Sequence, residues 1–135
     1  MLKKIFYFSD IGLLLEILRM QRVVGRGGGR DAIALLEQPA RPLAKPLDRE
    51  KIDRYVNLGL RLGALFGLLN SCLTRSVIRC VLLRRGGVCA RVAFGLSKDH
   101  EVLTGHCWVV EDDAPQPPVE NAAYQDIQLF PRSCA

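Results

Sequence analysis

The chain has 135 residues, and its 49% hydrophobic content suits one globular domain and excludes a disordered chain. Its net charge of +5 is uneven, with basic runs over 19–30 and 72–91 and an acidic stretch from Asp99 to Asp126. The basic residues are not interleaved with aromatics and match no common recognition motif, so a nucleic-acid module is not expected; an acidic or extended partner is.

The opening "MLKKIFYFSDIGLLLEILRM" has the outline of a signal peptide, but Asp10 and Glu16 interrupt it and no small-residue cleavage site follows. No apolar run reaches the ~18 residues of a membrane span; the nearest, "LGLRLGALFGLL", is broken by Arg61 and three glycines. A cytoplasmic chain without membrane association is therefore expected. The five cysteines, Cys72, Cys80, Cys89, Cys107 and Cys134, are odd in number and are read as reduced thiols.

Asp10 is a plausible N-cap for a helix over about 11–24, with Ile11, Leu14, Leu15 and Leu18 as its apolar stripe. "GRGGGR" over 25–30 reads as a flexible turn that ends it, because no strand precedes it and no Gly-Lys-Ser/Thr follows, as a phosphate-binding loop requires. A short helix follows over 31–37. "QPARPLAKPLD" over 38–48 is expected to be an extended surface connector.

Asp48 caps a helix over about 49–69, in which Ile52, Tyr55, Val56, Leu60 and Ala64 fit a buried face. Gly59, Gly63 and Gly67 recur every four residues, a spacing that marks close helix packing. Asn70 or Ser71 caps the next helix, which ends at Gly86 and Gly87. The period then changes to two. Strands are expected over 88–96, 105–111 and 122–130, with a turn at "SKDHEVLT" and a proline-bearing loop at "DDAPQPP". Helices followed by an antiparallel meander make an α+β domain.

Cys72 stands at the first turn of its helix, where unpaired N–H groups and the positive end of the helix dipole favour a negative sulfur. Arg75 and Arg79 would act in the same direction. Cys80, within Val77, Ile78, Val81 and Leu82, reads as core. A thiolate nucleophile gains from an imidazole that exchanges protons with it, and the chain offers His100 and His106. His100 falls in a polar turn. His106 opens a strand beside Gly105, which leaves space next to the ring. By alternation it shares a face with Trp108 and Val110, taken to be the face on which the helix packs.

A cysteine at a helix start followed, strands later, by a histidine is the order of papain-like and transglutaminase-like folds. "SCLTRSVIRCVLLRRGGVCARVAFGLSKD" with "GHCWVV" closely resembles the transglutaminase-like leader peptidases of lasso-peptide biosynthesis. The likeness is strong over about 48–111 and loose before it. It implies a transglutaminase-like, papain-like cysteine-protease core at 48–135, preceded by a helical region and connector at 1–47, in one compact domain.

The resemblance implies that Cys72 is the nucleophile, His106 the general base, and an acid after the histidine the third member. Glu120 is the first choice because it follows the loop at the approach to the next strand, with Asn121, Asp113 and Asp112 as alternatives. Cys107 stands where the family usually has alanine, and alternation points it away from His106, as packing. The implied partners are a precursor leader peptide, a leader-recognition protein and an ATP-dependent lasso cyclase, with no cofactor and no metal. Arg84, Arg85 and Arg91 would offer a docking face for an acidic part of leader or recognition protein, or else a solvated basic face. Three rivals stand beside this reading: a degenerate binding module, an acyl transferase using the same nucleophile, and a zinc site from Cys72, His106, Cys107 and Cys89. The zinc site lacks a Cys-x-x-Cys pair.

Overall fold

The computed structural model describes residues 2–43, 48–68, 71–99, 102–111 and 125–131. Three helices come first, α1 (Leu2–Glu37), α2 (Arg49–Leu65) and α3 (Cys72–Arg85). Three strands follow, β1 (Ala90–Asp99), β2 (Val102–Glu111) and β3 (Gln125–Phe130). All pairing is antiparallel, but the order is β2-β1-β3, so β1 is central and β3 crosses to its far edge. This corrects the meander. The reason is that β3 finds its partner across the sheet, and strand order is not encoded in strand periodicity.

The first segment differs most from the sequence reading. Asp10 lies inside a helix rather than capping one, and residues 25–27 continue it. The break is confined to Gly28, with φ 61 and ψ −142, where the left-handed backbone kinks the helix and restarts it. The buried face is also rotated. Leu13, Ile17, Met20, Gln21 and Val24 are buried, while Ile11 and Leu15 stand exposed. Both stripes have helical spacing, and the packing of α1 on α2 and α3 selects between them.

The later helix boundaries follow local chemistry. Asp48 accepts from the Lys51 N–H at 2.8 Å, and Ser71 Oγ accepts from the Thr74 N–H at 3.2 Å, so Ser71 is the cap of α3. α2 stops at Leu65, short of the expected 69, because Gly67 (φ 78) takes the left-handed position while Leu68 N–H bonds Gly63 O at 2.9 Å. Gly87 (φ 88) ends α3 in the same way, with Val88 N–H on Leu83 O at 3.0 Å.

Gly59 and Gly63 provide the close approach that the spacing predicts, whereas a Cβ on Gly67 would meet nothing within 4 Å. A Cβ on Gly59 would fall 2.5 Å from Ile17 Cγ2, and one on Gly63 1.8 Å from Gln21 Oε1. On α2, Ile52, Val56 and Leu60 are buried as expected and Ala64 is exposed. One continuous core joins these residues to Val77, Ile78, Cys80, Leu82 and Leu83 of α3 and to Ala90 and Val92 of β1. α3 therefore packs on the other helices and on the sheet, and its first turns meet β2 at Cys107.

Candidate active site

Cys72 is the first residue of α3 and is exposed. The Ser71 cap bonds Thr74, and the first intrahelical bond is Arg75 N–H to Ser71 O at 3.0 Å. The N–H groups of Cys72 and Leu73 precede that bond, so helix geometry aims them at whatever meets the helix end. Arg75 and Arg79 do not turn to the thiol. Arg75 donates to Asn57 Oδ1 at 2.6 Å and Arg79 to Asp53 Oδ1 at 2.6 Å, both on α2. Both side chains link α3 to α2.

A cavity of about 440 Å³ opens beside Cys72, with Leu73, Phe94, Leu96, His106, Cys107 and Gln128 among its lining residues. Cys72 and His106, paired by the sequence reading, thus border one space, and His106 is exposed within it. Gly29, just past the kink of α1, and Gly105 also line it. A Cβ at either would meet nothing within 4 Å, so both glycines widen the mouth.

The face assignment in β2 needs correction. Cys107 and Val109 pack on the helical core, and so do Val92 and Phe94 of β1. His106 and Trp108 belong to the opposite set by alternation. The register pairs Phe94 with Cys107 and Gly95 with His106. Cys107 is accordingly the residue that meets Cys72: its Sγ donates to Cys72 Sγ at 3.5 Å, and Ser76 Oγ donates to the Cys107 carbonyl at 3.5 Å. Nothing in the isolated motif distinguishes the two faces of the strand, and only docking on α3 does.

Burial pushes the Cys107 thiol up to about 12, the hydrogen bond and charge of Cys72 add to the rise, and the Ser76 hydroxyl opposes it. Cys107 therefore holds its proton and points it at Cys72. Cys80 is fully buried, as expected; burial pushes it up to about 12 against Arg84 and Arg79.

Cys89 is disulfide-bonded, which overturns the reading of five reduced thiols. Thiol pairing depends on which chain segments fold together, and the count of cysteines does not report it. It also removes Cys89 from the rival zinc set, and among the described residues no three metal-ligating side chains converge. Glu120, Asn121, Asp112 and Asp113, the candidates for the third role, lie outside the described residues, as do Asn70, His100 and Cys134.

Arg84 and Arg85 are engaged internally. Arg84 donates to Leu36 O at 2.6 Å, and Arg85 donates to Glu16 and to Arg41 O, fastening α3 to α1 and the connector. Among the described residues no helix is long and apolar enough to cross a membrane.

No curated protein and no solved structure matches the chain. Residues 14–128 match the transglutaminase-like superfamily, a span that runs from α1 through all three strands. With three helices, a three-stranded antiparallel sheet and a cysteine opening the last helix against that sheet, the chain belongs to the transglutaminase-like superfamily.

Proposed function

We propose that this chain is a cysteine peptidase that removes the leader from a ribosomally made lasso-peptide precursor. The observation that carries the reading is the shared cavity: an exposed cysteine at a helix N-terminus and an exposed histidine on a strand border one largely apolar space open to solvent. The motif resemblance over 48–111 supplies the pathway, and superfamily membership supports the chemistry.

The Cys72 thiolate attacks the scissile carbonyl carbon and forms a tetrahedral oxyanion. The N–H groups at the start of α3 receive that oxygen. His106 gives a proton to the departing amine, and the C–N bond breaks to leave a thioester. Water then attacks the thioester, His106 takes its proton, and sulfur 72 is released. Glu120 is assigned to orient the ring and stabilise its cationic form. A recognition protein holds the leader in place, and an ATP-dependent lasso cyclase closes the ring on the freed core peptide. No cofactor is assigned.

The test is leader cleavage with the recognition protein present. Cys72→Ala and His106→Ala are expected to be inactive, and Glu120→Ala slowed by about 10²-fold or more. Full cleavage by Cys72→Ala would exclude the mechanism. One observation favours a second reading, a binding module without turnover: the sulfur at 3.5 Å from Cys72 belongs to Cys107. A wild-type chain that binds the leader tightly and never cleaves it would establish that reading.

A further inference from the structure

Two thiols on different elements meet at the mouth of the cavity. Cys72 is exposed and Cys107 is half-buried behind it, with 3.5 Å between the sulfurs. A disulfide needs about 2.05 Å, so roughly 1.5 Å of closure is required. The other free thiol among the described residues, Cys80, is fully buried. A thiolate is the form of sulfur that attacks an electrophile, and Cys72 is the exposed member of the pair.

We propose that Cys72 and Cys107 form a peroxide-responsive dithiol, in which Cys72 is the sulfur that is oxidised and Cys107 is the sulfur that resolves it. In the first step the Cys72 thiolate attacks one oxygen of hydrogen peroxide. The O–O bond breaks, hydroxide leaves and takes a proton to become water, and Cys72 becomes a sulfenic acid. In the second step Cys107 gives up its proton and its sulfur attacks the sulfenic sulfur. The S–O bond breaks, and the departing hydroxide takes a proton and leaves as a second water. The two thiols lose two electrons and peroxide gains them. A dithiol reductant reverses the product by exchange. Formation of the bond does not depend on the peptidase reading; only its consequence, loss of the nucleophile while the bond lasts, rests on that reading.

The experiment exposes the full chain to hydrogen peroxide, blocks remaining thiols, digests with trypsin without reductant and maps the peptides by mass. Cleavage after Arg61, Arg75, Lys98 and Arg132 places Cys72 in peptide 62–75 and Cys107 in peptide 99–132. These two are expected to appear joined, lacking two hydrogens, as the first oxidation product, and to separate on treatment with dithiothreitol. Cys107→Ser is expected to abolish the joined species and carry Cys72 on to sulfinic acid. The wild-type arm decides the matter even if that variant folds poorly. Sulfinic acid at Cys72 before any joined species, or Cys72 joined mainly to another cysteine, overturns the proposal. A chain that forms the bond yet cleaves no leader removes the peptidase reading and leaves the dithiol standing.

Discussion

Cys80 and Cys107 show how far a residue's chemistry follows from its neighbours along the chain. Cys80 sits among Val77, Ile78, Val81 and Leu82, so its burial was legible from helical period alone. In the folded chain its thiol holds its proton up to about 12, against an ordinary 9.0. A pKa raised by folding contributes stability in full below the unfolded value and loses it as pH rises toward the folded one. The contribution of Cys80 should therefore decline between pH 9.0 and about 12, with a slope approaching about 1.4 kcal/mol per pH unit. Comparing wild type with Cys80→Ala in urea at about pH 8 and about pH 10.5 checks this. The gap between the two proteins should narrow at the higher pH, and an unchanged gap would refute it. Cys107 was not legible in the same way. Alternation separates it from His106, but which of the two meets Cys72 depends on how β2 docks on α3.

At the scale of elements, the glycines of α2 carry the clearest message. Their spacing was read as close packing, and the structure supplies the partner: Ile17 of α1, whose Cγ2 leaves no space for a Cβ on Gly59. Ile17 is branched at Cβ and fully buried, so it has little freedom to yield. Gly59→Ala should cost about 1–3 kcal/mol through overpacking. Gly12, exposed in the same α1, offers the opposite case, because an added methyl there would meet nothing within 4 Å. Gly12→Ala should gain up to about 1 kcal/mol by helix propensity. Denaturant midpoints measure both, and equal shifts in the two variants would contradict this account. The rotated stripe of α1 has the same root. A helix with several apolar positions offers more than one face, and the partner chooses.

At the scale of the whole molecule, basic residues at the end of α3 hold the helical half together. Arg85 is largely covered and reaches both Glu16 on α1 and the Arg41 carbonyl in the connector. It also places positive charge at a helix C-terminus. Arg85→Met should lower stability by about 1–3 kcal/mol, because the Glu16 carboxylate and a carbonyl both lose a charged donor. Arg54, paired with Glu50 on an exposed stretch of α2, is the contrast: Arg54→Met should stay within about 0.5 kcal/mol. Thermal melts of the two variants decide, and a silent Arg85→Met would remove the fastening role. Arg84 and Arg85, expected to offer a docking face, each spend donors on this fastening and also line a cavity with Arg19 and Arg41.

The chain by itself determined what short-range chemistry controls. A hydroxyl or carboxylate three residues ahead of an N–H starts a helix, a glycine at positive φ stops one, and a change of period from 3.6 to 2 marks where helices give way to strands. Those signals placed Cys72 on a helix end and His106 on a strand. Tertiary structure alone decided the strand order, the buried face of α1, the disulfide at Cys89 and the sulfur that lies against Cys72. Each of these depends on surfaces brought together from distant parts of the chain, and the energy that selects among them comes from burying one pair of faces rather than another.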